Sequence, residues 1–187
     1  DFLGFKEKKL ITPLLEHGTK VEVAGESVTT CDGVVTDNPN LILTVTVADC
    51  LPLFLFDPEK KAIGLIHAGW RGIVNGIAEN GITLFKEEFN SDPKEIKVLI
   101  GPGICHHHFD IGPEIADSFK EKTKLNNGRI FVNLKSEAKN RLLSSGLLLK
   151  NITIHPGCTF CSSKKYFSYR RDKPKNIETM LSVLTLN

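Results

Sequence analysis

Three apolar runs follow one another closely in the first half of the chain: Leu41–Val47, rich in β-branched residues, then residues 51–56 and residues 62–67. Their residue types suit buried strands, and none is long enough to cross a bilayer. The turn signal Asp57-Pro58-Glu59-Lys60 separates the second run from the third, and Ala68-Gly69 halts the third. Two reactive residues sit at the ends of these runs, Cys50 after the first and His67 closing the third. Strands this close in sequence are expected to be neighbours. The thiol and the imidazole are then expected to meet at one end of a sheet.

Residues 19–23 alternate as a strand before a turn at Ala24-Gly25, and Cys31-Asp32-Gly33 reads as another turn. From 71 to 89 the period lengthens, with Ile73, Ile77, Leu84, Phe85 and Phe89 on one face of a helix. Gly76 and Gly81 weaken that helix by about 1 kcal/mol each against Ala, which allows a break there. Residues 96–100 return to strand, completing a strand–helix–strand crossover. A proline-initiated helix is expected over 113–122, where Ile115 and Phe119 lie four apart, and another over 134–143, ended by Ser144-Ser145-Gly146. Ile152–Ile154, 166–169 and 180–186 read as strands. With no repeat, low-complexity stretch or linker, residues 1–187 are expected to form one α+β domain.

A chain of 187 residues can bury a core without disulfide or metal staples. Its five cysteines are an odd number, and free thiols or metal ligands fit them better than a disulfide framework. With 24 basic and 22 acidic residues, the net charge of +2 gives no strong pull toward nucleic acid or membrane. No charged-then-apolar segment opens the chain, so a cytoplasmic location is expected. No protein partner is evident. Met180 is the only methionine, so Asp1 is not expected to be a translated start.

Cys50 and His67 offer either two metal ligands or a nucleophile with its base. The plainer alternative is a buried cysteine and a hydrogen-bonded core histidine. Against it, Ala68-Gly69 and Gly72 leave backbone open beside His67, while Trp70 and Arg71 supply a stacking face and a cation. His17, in Leu14-Leu15-Glu16-His17-Gly18, can join them. A His/Cys/His set leaves a fourth position for water or substrate, the pattern of a catalytic zinc. Ligand imidazoles commonly donate their second N–H to a carboxylate, and Asp32, Asp49 and Asp110 all qualify. Arg170 and Arg171 read either as a solvated pair or as guanidinium forks for phosphate, with Arg71 competing for that role. The run His106-His107-His108 is read as a loop near the pocket, with adventitious metal binding second. Cys158 and Cys161 form a lone C-x-x-C, and a structural zinc would need a second pair.

The stretch ADCLP…HAGWRG, together with GPGI…FDIG over 101–112 and CT…FSYRRD over 158–172, resembles the YfiH/laccase-domain family. Members have been called polyphenol oxidases and, more recently, zinc-dependent purine nucleoside phosphorylases with adenosine deaminase activity. The resemblance implies an α+β domain of mixed β-sheets flanked by helices. It also implies a metal held by His17, Cys50 and His67. Members carry several tens of residues before the first histidine, including Thr-Arg-x-Gly-Gly-like and Ser-Leu-Asn-Leu-like segments. Only 16 residues precede His17 here, so the chain is expected to be a member lacking them.

The resemblance ranks phosphorolysis of a purine nucleoside first, with Zn2+ as cofactor and nucleoside and phosphate as small-molecule partners. Cys50, His67 and Arg71 are the expected catalytic residues. Trp70, Phe109 and Tyr169 are candidates to stack on the base, and Arg170 and Arg171 to hold phosphate. A polyphenol oxidase using Cu2+ is the alternative, since histidine and cysteine also suit copper. Six histidines, three of them contiguous, are few for a four-copper cluster. A metal-free Cys50/His67 hydrolase or deamidase, and a binding module with a vestigial metal site, complete the set.

Overall fold

A computed structural model describes residues 7–25, 30–120, 122–124, 127–173, 175–176 and 178–187. In chain order the elements are β1 (Lys9–Ile11), β2 (Val21–Val23), β3 (Gly33–Thr36), β4 (Leu41–Val47), β5 (Leu51–Asp57), β6 (Ala62–Ala68), α1 (Trp70–Val74), α2 (Ile77–Phe89), β7 (Lys97–Ile100), β8 (Asp110–Ile111), α3 (Pro113–Ala116), β9 (Lys122–Lys124), β10 (Ile130–Val132), α4 (Leu134–Ser144), β11 (Ile152–Ile154), α5 (Tyr169–Asp172) and β12 (Met180–Thr185). A six-stranded mixed sheet runs β11-β7-β5-β6-β3-β2, and two three-stranded sheets run β1-β4-β12 and β8-β10-β9. The architecture is α+β, as expected.

The apolar runs are continuous because the six-stranded sheet is covered on both faces. On one side, Leu53, Leu55 and Ile66 pack with Ile73, Ile77, Ile82 and Phe85 of the α1–α2 pair and with Leu134, Ala138 and Leu142 of α4. On the other, Val34, Ile63 and Leu65 pack with Leu41, Leu43, Val45 and Val47 of the smaller sheet. All seven residues of β6 are buried. β4 and β5 therefore belong to different sheets, and the short connection at 48–50 is where the chain changes layer.

The crossover is present: β6 and β7 both pair antiparallel with β5, so they run parallel, with α1 and α2 between them in sequence. Its helix breaks at Gly76, whose φ of +99° suits glycine. Gly81 lies inside α2 for a different reason. A Cβ there would come within 2.5 Å of Ile66 Cδ1, and one on Gly64 within 2.8 Å of the Phe85 ring. The two glycines let α2 lie close on β6.

The close spacing of the three runs predicts neighbouring strands, but only β5 and β6 pair, β4 lying in the other layer. Three further expectations need correction. The helix over 113–122 is only the single turn α3; Lys122 already belongs to β9, and Glu121 lies outside the described residues. The strand over 166–169 is instead a turn leading into α5, whose Ser168 Oγ accepts from the Arg171 N–H at 3.2 Å. The turn at Cys31-Asp32-Gly33 runs directly into β3, which pairs with both β2 and β6. Short β1, β8 and β10 carried no periodic signal of their own.

Phe85 is wholly buried where α2 meets the sheet. Phe85→Ala is expected to lower stability by about 3–5 kcal/mol, measured by urea denaturation. A loss below about 1 kcal/mol would contradict this packing.

Candidate metal centre

The 48–50 connection presents Cys50 through an unusual backbone. Asp49 has φ +81°, left-handed space that non-glycine residues seldom occupy. It is held by its own carboxylate: Oδ1 accepts from Thr159 Oγ1 at 2.6 Å and Oδ2 from the Arg170 N–H at 2.7 Å. The β5–β6 register then places the histidine. Pro52 lies opposite His67 and Leu51 opposite Ala68, which sets Cys50 beside Gly69 on the face that carries His67. A Cβ on Gly69 would stand 3.2 Å from Cys50 Sγ, 3.4 Å from the His17 ring and 3.7 Å from the His67 ring. The space between the three side chains exists because residue 69 has none.

His17 reaches the same point from the loop before β2, again with positive φ, at 60°. Its N–H donates to Asp32 Oδ1 at 2.9 Å and the Gly18 N–H donates to Asp32 Oδ2 at 2.7 Å. The same Asp32 Oδ1 lies 3.0 Å from His67 Nδ1, and the Asp32 carbonyl accepts from the His67 N–H at 2.7 Å. One fully buried carboxylate thus fixes two candidate ligands. With Nδ1–H given to Asp32, His67 turns Nε2 toward Cys50 and His17, the arrangement in which a carboxylate orients a metal-binding imidazole. The His17 and His67 rings meet edge to face, 4.7 Å apart. Gly72 completes the approach, since a Cβ there would lie 2.7 Å from the Gly18 carbonyl.

The donor atoms of His17, Cys50 and His67 all lie within 4.8 Å of one another, with His67 buried, Cys50 half-buried and His17 exposed. Two imidazoles and a thiol at this spacing fit a divalent transition metal with one outward position open. The electrostatics agree. Burial pushes the Cys50 thiol up, but hydrogen bonds and charge from His17 and His67 outweigh it and bring it to about 7. Burial pushes His67 down, yet Asp32 and Cys50 raise it to about 9. Asp32 is raised by burial and lowered further by His67, Gly18 and His17, so it stays below the usual carboxylate range. The site is built to hold a thiolate, which is what a metal needs.

The other expected residues divide. Trp70 and Arg71 open α1 directly after Gly69, with the Arg71 guanidinium 4.5 Å from the Trp70 ring centre and Trp70 itself against Phe119. Tyr169, 56% exposed, opens α5 one residue before the Arg170 N–H that binds Asp49. Phe109 is 8% exposed and part of the core, with Arg170 over its ring at 5.3 Å, which leaves no face for a base. Arg170 Nη1 donates to the Asp110 carbonyl and carboxylate. Arg171 is fully committed, its five N–H donors taken by Asp172 and by the carbonyls of Thr159, Phe160 and Tyr166. It holds loops together rather than facing an anion. Sequence reasoning names Asp32 and Asp49 without separating their roles, and reads Gly69 only as open backbone beside His67, not as the residue that makes room for all three donors. A groove of about 570 Å³ lined by Phe54, Phe56, Lys97, Leu99, Lys150 and Leu184 contains none of these residues.

Fold and site together describe an α+β protein with a carboxylate-backed His/Cys/His centre. The chain belongs to the multi-copper polyphenol oxidoreductase laccase family, whose model matches residues 1–187. It is 29% identical over 167 residues to the purine nucleoside phosphorylase YlmD of Geobacillus stearothermophilus, covering 84% of this chain and 61% of that protein. It is 34% identical over 155 residues to a purine nucleoside phosphorylase of Aquifex aeolicus, covering 83% and 70%. The mouse purine nucleoside phosphorylase LACC1 is 30% identical over 193 residues, 98% of this chain and 45% of that one. The match thus spans roughly half to two-thirds of some relatives' length. The crystal structure of Bacillus licheniformis hypothetical protein YfiH superposes with a TM-score of 0.93 at 25% identity, over 100% of this chain and 78% of that one. No helix among the described residues is long and apolar enough to cross a membrane.

In metal-free protein, alkylation of Cys50 is expected to rise with pH through a midpoint near 7. Asp32→Asn removes the charge that keeps His67 protonated, so the midpoint should move up, and metal affinity should fall about 10–100-fold. Peptide mass mapping and metal titration measure these; an unmoved midpoint with unchanged affinity would contradict the role given to Asp32.

Proposed function

We propose that this chain is a purine nucleoside phosphorylase that uses Zn2+ held by His17, Cys50 and His67. The observation that carries the reading is the convergence of those three donors on one outward-facing point, backed by Asp32, in a chain whose relatives are named for that activity. When bound, the ion supplies a positive charge and a Lewis acid at the open position.

The remaining work falls to the chain's own groups. A phosphate oxygen bonds to ribose C1′ as the C1′–N9 bond breaks; the electron pair of the broken bond passes to the purine, which takes up a proton from the phosphate or from solvent. Arg71 is our choice for holding the phosphate, because it opens α1 beside Gly69 while Arg171 is committed to its loop. Tyr169, exposed and one residue from the Arg170 N–H that binds Asp49, is our choice for stacking on the base. Trp70 forms the wall on which Arg71 rests. Adenosine deamination, in which water replaces the 6-amino group and ammonia leaves, is the second activity we propose for the same centre. The close Cys50–His67 pair also has the geometry of a nucleophile with its base, which supports a hydrolase as the competing reading.

Incubation with adenosine separates these. Adenine and ribose 1-phosphate should appear only with phosphate, and both Cys50→Ala and His67→Ala should abolish turnover. Arg71→Ala should raise the phosphate KM tenfold or more, since a charged hydrogen bond contributes about 1.5–3 kcal/mol. Inosine formed without phosphate would report the deaminase. Turnover that persists in chelator and is lost to thiol alkylation would replace the phosphorylase by the hydrolase.

A further inference from the structure

The C-x-x-C at Cys158 and Cys161 lacks a second pair in sequence, but the fold brings it a third cysteine. Gly103 and Cys158 form a β-bridge, and the Gly103 N–H donates to the Gly157 carbonyl. The Thr159 N–H returns a bond to the Gly103 carbonyl. These tie the loop carrying Cys105 to the turn carrying Cys158 and Cys161. All three sulfurs lie within 4.8 Å of one another, and the Cys105 and Cys161 sulfurs are 4.0 Å apart. We propose that Cys105, Cys158 and Cys161 form a second metal site, which binds one thiophilic ion such as Zn2+ through three thiolates.

Three features support a metal over a disulfide. Zinc–sulfur bonds of about 2.3 Å in a tetrahedron separate sulfurs by roughly 3.8 Å, near the spacing found, whereas a disulfide brings two of them to about 2.05 Å and leaves the third idle. The innermost sulfur, on buried Cys158, accepts the Cys105 N–H at 3.3 Å and the Cys161 N–H at 3.5 Å. Backbone donors aimed at a sulfur stabilise its anionic form. Lys135 places a cation below this turn, its Nζ donating to the His155 and Gly157 carbonyls at 2.7 Å each. Cys161 is exposed, so the ion can enter from solvent, and a fourth corner remains for water.

The consequence reaches the first centre. Thr159 lies between the two C-x-x-C cysteines, and its hydroxyl holds the Asp49 carboxylate beside Cys50. Its carbonyl and that of Phe160 also hold Arg171. An ion on the three sulfurs therefore clamps the segment that buttresses the Cys50 turn.

The test is zinc stoichiometry on the full chain, reduced, stripped with chelator, loaded with Zn2+ alone and desalted. Two zinc per chain are expected for the unmodified protein, one for Cys161→Ser and one for His17→Ala. This separates the second site from the first whatever the enzymatic activity proves to be. Zinc content that is the same in the unmodified protein and in Cys161→Ser would overturn the proposal. Should Cys161→Ser hold none, alkylation of the unmodified protein decides. Zinc must then shield Cys105, Cys158 and Cys161 together, and their continued modification in the presence of zinc would overturn the site.

Discussion

A single buried carboxylate organises the centre. Asp32 is wholly removed from water, where an uncompensated charge would cost several kcal/mol. Its oxygens are met instead by the His17 and Gly18 N–H groups and by His67 Nδ1. The same contacts that make its ionisation tolerable bring a loop residue and a strand residue to one point. Charge compensation and ligand placement are one event, so the site and the local fold stand or fall together.

Asp49 acts as a counterpart on the sulfur side. Its left-handed backbone turns the chain from one sheet layer to the other and presents half-buried Cys50, while its carboxylate is held by Thr159 and Arg170 from the far end of the chain. Arg171 then binds the same distant loop through three carbonyls. Two aspartates that look alike in sequence serve opposite ends of the centre: one orients histidines, the other anchors the turn that carries the thiol.

Much of this was legible from residue types. The runs that became β4, β5 and β6 announce themselves because burial on both faces demands unbroken apolar sequence, and Cys50 and His67 mark their ends. His17 was placed by family resemblance, since nothing in its spacing points to Cys50. What escaped is long-range or depends on absent atoms. The β3 strand is hidden behind the glycine that opens it, and α5 behind an aromatic run of strand-like composition. Gly69 and Gly72 read as loose backbone, yet each is a contact point whose missing side chain admits a ligand or a neighbouring carbonyl. Arg171 resembled an anion ligand because the carbonyls that occupy it are backbone, which sequence does not display. Cys105 joined the C-x-x-C only through a bridge between loops more than fifty residues apart.

The most direct measurement is anomalous X-ray diffraction at the zinc edge from crystals of protein grown with Zn2+. The account predicts a peak about 2.0–2.1 Å from an imidazole nitrogen of His17 and from His67 Nε2, and about 2.3 Å from Cys50 Sγ. An empty map at that point, with His67 Nδ1 turned away from Asp32, would contradict it.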